Sequence, residues 1–166
     1  MVRKFLTLLI IYLGFILQCS VFSHISFGGI VPNILLIITS SYGFMRGQNA
    51  GMTVGFLSGL MVDIFFGSPM GFITLLYIFI GFLNGFFKNV FYPEDIKLPM
   101  LLITGSELIF CILYYVLKYL LRGRLNIGYY FVHIMLREIV YTIVITFPLY
   151  ILLIRINDRL DIYESR

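Results

Sequence analysis

Between Gly43 and Gly71 every fourth residue is a glycine, with one exception: Gly43, Gly47, Gly51, Gly55, Gly59, Asp63, Gly67, Gly71. Glycine inside a helix costs roughly 1 kcal/mol against alanine, so an apolar chain that repeats it this way must gain something in return. In lipid the gain is close backbone approach, because small residues four apart open a face on which a second helix lies directly. The carboxylate in the same register is expensive in hydrocarbon and marks a functional or paired position. This stretch predicts a helical membrane protein with one very tight helix contact and one polar point to explain.

Composition points the same way. Of 166 residues 60% are hydrophobic and 12% charged, with a mean hydropathy of +1.00. A water-soluble domain of this length still exposes a large share of its surface and could not hide that much apolar area. The pI near 9.1 and net charge of +4 do not imply nucleic acid, since the basic residues are scattered at the ends of apolar runs, as Lys and Arg sit beside transmembrane helices. Cys19 and Cys111 lie in apolar runs without a CxxC or CxxH neighbour, so they read as buried thiols, and neither a metal nor a disulfide framework is expected. The start, Met-Val-Arg-Lys before an apolar run, lacks a small-x-small cleavage pattern and reads as an uncleaved first span.

With about 20 apolar residues per span, the expected fold is an all-α integral membrane protein, one compact bundle of six transmembrane helices. The spans fall at about 5–22, 30–45, 50–66, 71–87, 99–121 and 130–154, followed by a charged tail, Arg155–Arg166. The second and third are short, and either cross a thin region or form a sheltered re-entrant hairpin. Both choices keep the termini on one side. With the N-terminus inside, Arg3, Lys4, Arg46, Lys88, Lys97, Arg155, Arg159 and Arg166 face the cytoplasm, while Lys118, Arg122 and Arg124 face out. That imbalance favours two cytoplasmic termini; the outer basic cluster dissents and suits a contact with anionic lipid or a partner.

Four ionisable residues fall within the spans: Asp63, Glu107, Arg137 and Glu138. Counting rise along each helix puts Asp63 and Arg137 in one depth zone near the outer side, which predicts an Asp63–Arg137 pair. Glu107 counts nearer the inner face and needs another partner. Glu138 follows Arg137 at about 100° around the helix, so the two cannot point the same way. Asp63 and Glu107 are either interhelical polar contacts or proton- and substrate-binding carboxylates.

Each step of four residues drifts by about 40° around a helix, so the glycine series cannot be a single face. Gly51, Gly55 and Gly59 form a coherent packing groove, open to an internal or an outside helix, and Gly81 and Gly85 repeat the spacing in the fourth span. Gly43 and Gly47 are expected to serve the turn between spans two and three. Gly67, Pro69 and Gly71 are expected to form the next turn. No catalytic constellation is present: His24 and His133 lie apart, and HExxH, GxSxG and GxGxxG are absent. No cofactor is expected.

Pro32-Asn33-Ile34-Leu35-Leu36, then Arg46-Gly47, Gly51, Gly55-Phe56, Gly59-Leu60, Asp63 and Gly67-Ser68-Pro69-Met70-Gly71 together resemble the rod shape-determining protein MreD of bacteria. The likeness is most specific over residues 30–87. It implies a multi-pass protein of the bacterial cytoplasmic membrane that works in cell elongation and lateral peptidoglycan synthesis. The implied partners are the membrane-anchored periplasmic protein MreC and, through it, MreB filaments, the glycosyltransferase RodA and a class B penicillin-binding protein. The implied fold is similar to the six-helix S components of energy-coupling-factor transporters. The family brings no catalytic residue; its acidic position after the glycine pair maps onto Asp63.

The favoured reading is therefore a non-enzymatic membrane scaffold that packs against partner transmembrane helices and membrane lipid. The alternative is a substrate-binding S component of a vitamin or small-molecule transporter. Those components resemble one another in an Ala-xxx-Ala patch on the first helix, whereas Ala50 is the one alanine here and the first span is bulky. An enzyme or lipid flippase would rest on Asp63, Glu107 and Arg137 alone.

Overall fold

The computed structural model describes residues 2–21, 31–66, 71–92, 95–118 and 135–164, together with 128 and 133. Among the described residues are six α-helices: α1 (Val2–Ile16), α2 (Ile34–Arg46), α3 (Gln48–Phe66), α4 (Phe72–Gly85), α5 (Lys97–Lys118) and α6 (Leu136–Glu164). A π-helical turn, Leu17–Val21, extends α1, and a 3₁₀ turn, Phe86–Asn89, extends α4. No strand occurs among the described residues. Five of these helical segments are long and apolar enough to cross a membrane. Their outward faces carry large apolar side chains, among them Phe5, Ile64, Phe65, Leu75, Leu101 and Val144, as a hydrocarbon surround requires.

The exception is α2, which departs from the expected span over residues 30–45. It has 13 residues, and Ile34 through Ser41 are all buried. At 1.5 Å per residue it rises only about 20 Å, and it sits at the centre of the bundle, touching every other helix. Its buried N-terminus would leave amide groups unpaired, and other helices supply acceptors. Gln18 Oε1 takes the Leu35 amide at 3.1 Å, and Thr142 Oγ1 takes the Asn33 amide at 3.4 Å. At its other end Gly47 turns the chain at φ 100°. The Gly47 amide closes back on the Gly43 carbonyl at 2.7 Å, and α3 begins at the next residue.

The core is continuous around α2. Leu35, Leu36 and Ile38 pack with Ile11 and Phe15 of α1, Val54 and Val62 of α3, and Leu76, Tyr77 and Ile80 of α4. On the other side Ile37 and Phe44 meet Leu102 and Ile103 of α5 and Tyr150 of α6. The charged tail expected from Arg155 is instead helical to Glu164, continuous with α6 through Pro148.

Candidate functional site

The most extensive contact in the bundle is between α3 and α4, and glycine makes it. A Cβ on Gly51 would fall on the Gly81 carbonyl, and one on Gly81 would fall on the Gly51 carbonyl. A Cβ on Gly55 would lie 2.5 Å from the Tyr77 carbonyl oxygen, and one on Gly59 would strike the Thr74 backbone. Gly85 is closed in the same way by the Gln48 backbone. The two glycine series are thus the two halves of one seam. Of the two expected occupants of the Gly51, Gly55 and Gly59 groove, an internal or an outside helix, it is the internal α4 that fills it.

Gly43 belongs to this seam and not to a turn. A Cβ there would lie 2.8 Å from Asn84 Cβ and 2.9 Å from the Gly81 carbonyl oxygen, so α2, α3 and α4 converge at Gly43, Gly51 and Gly81. Gly47 and Gly71 are the turn residues, each with a positive φ. Gly67 and Pro69 lie outside the described residues, as does His24.

Asp63 ends the seam. It is 2% exposed, and its carboxylate accepts the amides of Gly71 at 3.0 Å, Ile73 at 3.2 Å and Thr74 at 2.9 Å. It also accepts the Thr74 hydroxyl at 2.6 Å. Gly71, at the N-cap of α4, has no side chain to cap the helix, so the preceding helix supplies the cap. An anion at a helix N-terminus is favoured both by the unpaired amides and by the macrodipole. The expected pair with Arg137 is not formed: the α4 N-terminus takes the Asp63 carboxylate, and Arg137 is exposed. Backbone donors, which carry no residue type, outcompete the guanidinium.

Glu107 and Glu138, separated by the depth count, come together. Glu107 and Cys111 lie one turn apart on α5, Glu138 on α6, and one ligand atom from each falls within 4.8 Å of the others. The Cys111 thiol donates to Glu138 Oε2 at 3.7 Å. Glu107 is 0% exposed, and among the described residues neither of its carboxylate oxygens has a hydrogen-bond partner. The depth count rests on span ends at 130 and 154 and on upright helices, whereas α6 runs from Leu136 on to Glu164. Glu107, Cys111 and Glu138 follow no cysteine–cysteine or cysteine–histidine ligand pattern, so their meeting carries no local sequence signal.

Around this cluster run further buried polar contacts. Tyr77 donates to Asn33 Oδ1 at 2.5 Å, joining α4 to the N-terminus of α2. Asn84 donates to the Ser106 hydroxyl at 2.7 Å, joining α4 to α5. At the end of the bundle that carries the start of α1 and the end of α6, Asp161 accepts from Arg3 at 2.5 Å and Arg46 at 2.6 Å. Arg46 also donates twice to Asn157 Oδ1, at 2.8 and 2.7 Å. Beside this node an open cleft of about 560 Å³ lies between α1, α2 and α3, edged by Arg3, Lys4 and Arg46 and walled by Leu8, Val54 and Leu57.

These arrangements hold helices together. No curated protein and no solved structure matches the chain. The family model for the rod shape-determining protein MreD matches residues 1–156, from the start of α1 into the last third of α6, and the chain belongs to that family, membrane proteins of rod shape determination.

Proposed function

We propose that this chain is a non-enzymatic scaffold of the bacterial elongation complex, lying in the cytoplasmic membrane with both termini in the cytoplasm. In this reading it binds the transmembrane helix of MreC, and through MreC supports MreB filaments, RodA and a class B penicillin-binding protein. The supporting observation is the uneven burial of its spans. The α1 segment is 17% buried, against 28% for α6 and 39–44% for the α3, α4 and α5 segments. Its outward residues Phe5, Leu8, Leu9, Tyr12, Leu13 and Ile16 recur at the three- and four-residue spacing of one helical stripe. With the glycine seam closed internally, this stripe, on the least covered of the five spanning segments, is the face we assign to a partner helix.

A photo-crosslinking residue at Leu9 or Leu13, in cells that also carry MreC, tests the reading. The expected result is a crosslink to MreC from α1 and none from Leu101, on the outward face of α5. Native mass spectrometry of the purified chain provides the opposing outcome. Reproducible binding of a vitamin without MreC would replace the scaffold by the transporter S component.

A further inference from the structure

We propose that Glu107, Cys111 and Glu138 form a binding site for a divalent transition-metal ion of the Zn²⁺ class, which ties α5 to α6 inside the bundle. Glu107 and Cys111 are four residues apart on one helix, a spacing that places two side chains on one face and that metal-binding helices use for paired ligands. Glu138 supplies the third donor from the neighbouring helix, so the site bridges two elements.

The separations suit such an ion. Zinc–oxygen distances of about 2.0–2.2 Å and zinc–sulfur distances of about 2.3 Å put neighbouring tetrahedral donors roughly 3.5 Å apart. Cys111 Sγ and Glu138 Oε2 already stand 3.7 Å apart, and no donor of the three is farther than 4.8 Å from another. Three protein ligands leave one tetrahedral position for a fourth donor.

The independent observation is the Glu107 carboxyl group. It is fully buried, and both oxygens are unpartnered among the described residues, a condition that native interiors seldom tolerate. A second carboxyl faces it, and two carboxylates side by side away from water repel unless a cation or a proton lies between them. The nearest basic residue in sequence, Arg137, is exposed. A divalent cation balances the two carboxylates and gives the Glu107 oxygens a partner. The thiol sets the class of metal, since sulfur with carboxylate oxygen suits Zn²⁺ and its surrogates Co²⁺ and Cd²⁺ better than Mg²⁺ or Ca²⁺. Binding releases the thiol proton and any proton held by the carboxyl pair.

The test uses the full chain in detergent, stripped with chelator and titrated with Cd²⁺ and then Co²⁺. The expected result is one ion per chain, a thiolate-to-Cd²⁺ charge-transfer band, tetrahedral Co²⁺ absorption and a higher melting temperature. Cys111→Ser should abolish the charge-transfer band and weaken binding at least about tenfold; Glu107→Gln should weaken binding while keeping the fold; Cys19→Ser should change nothing. Absence of stoichiometric binding in the unaltered chain would overturn the proposal. So would unchanged affinity in Cys111→Ser, or loss of the band in Cys19→Ser. A melting temperature raised by lowering the pH but indifferent to metal would assign the pair to a shared proton instead.

Discussion

Thr74 gives both its amide and its hydroxyl to the Asp63 carboxylate, at 2.9 and 2.6 Å. The last turns of α3 therefore hold the first turn of α4. Asp63→Asn keeps one oxygen as acceptor and should cost about 1–2 kcal/mol, within the range for losing a helix cap. Asp63→Leu leaves several buried donors unpaired and should cost about 3 kcal/mol or more. Thermal unfolding in detergent orders the two variants; equal damage from both would mean that the negative charge, rather than the hydrogen bonds, is what α4 requires.

The glycine seam should resist even one methyl group. At Gly51 and Gly81 the added carbon would meet backbone, which cannot rotate away, so Gly81→Ala should exceed the roughly 1–3 kcal/mol typical of overpacking by small groups. Gly55→Leu should prevent α3 and α4 from closing. Gly105, with no atom within 4 Å of its added carbon, is the control: Gly105→Ala should be neutral or slightly stabilising through helix propensity. The yield of monodisperse protein and its melting temperature read out all three.

Tyr77 and Asn33 make a buried hydrogen bond between α4 and the start of α2. Tyr77→Phe keeps the ring packing against Phe110 and removes only the hydroxyl, leaving Asn33 Oδ1 short of a donor. A loss of about 1–3 kcal/mol is expected. Hydrogen exchange should localise it to the first turn of α2; a loss spread evenly over the bundle would point to altered ring packing instead.

The Asp161 node should matter less. Its side chain is 54% exposed, and solvent-screened ion pairs contribute about 0–1 kcal/mol each. Asp161→Asn should therefore leave the melting temperature nearly unchanged in high salt and lower it slightly in low salt. Its visible effect should be faster exchange or proteolysis in the last turns of α6.

What could be read from the residues was the helical, lipid-bound character and the seam, because glycine at four-residue spacing in an apolar helix has few other uses. Gly51, Gly55, Gly59, Gly81 and Gly85 fall where close approach occurs. The partner of Asp63 could not be read, because its donors are backbone amides that appear only once α4 starts beside it. The meeting of Glu107 with Glu138 was hidden for a different reason: a rule that pairs opposite charges never proposes two carboxylates. Whether α2 crosses the membrane or is sheltered by other helices is not legible either, because an apolar run looks alike whether lipid or protein surrounds it.

That last point bears on how the chain enters the membrane. A 13-residue helix is too short to be held by the bilayer, which asks for about 20 residues, and its first turn is capped by Gln18 and Thr142 from distant parts of the chain. The insertion machinery therefore has no stable span to release at this point. α2 must stay loosely associated until α4, α5 and α6 have been synthesised and walled it in. Although made before α4, α5 and α6, α2 is thus among the last of the described helices to find its place, and a nascent chain cut short before α6 should expose it to quality-control proteases.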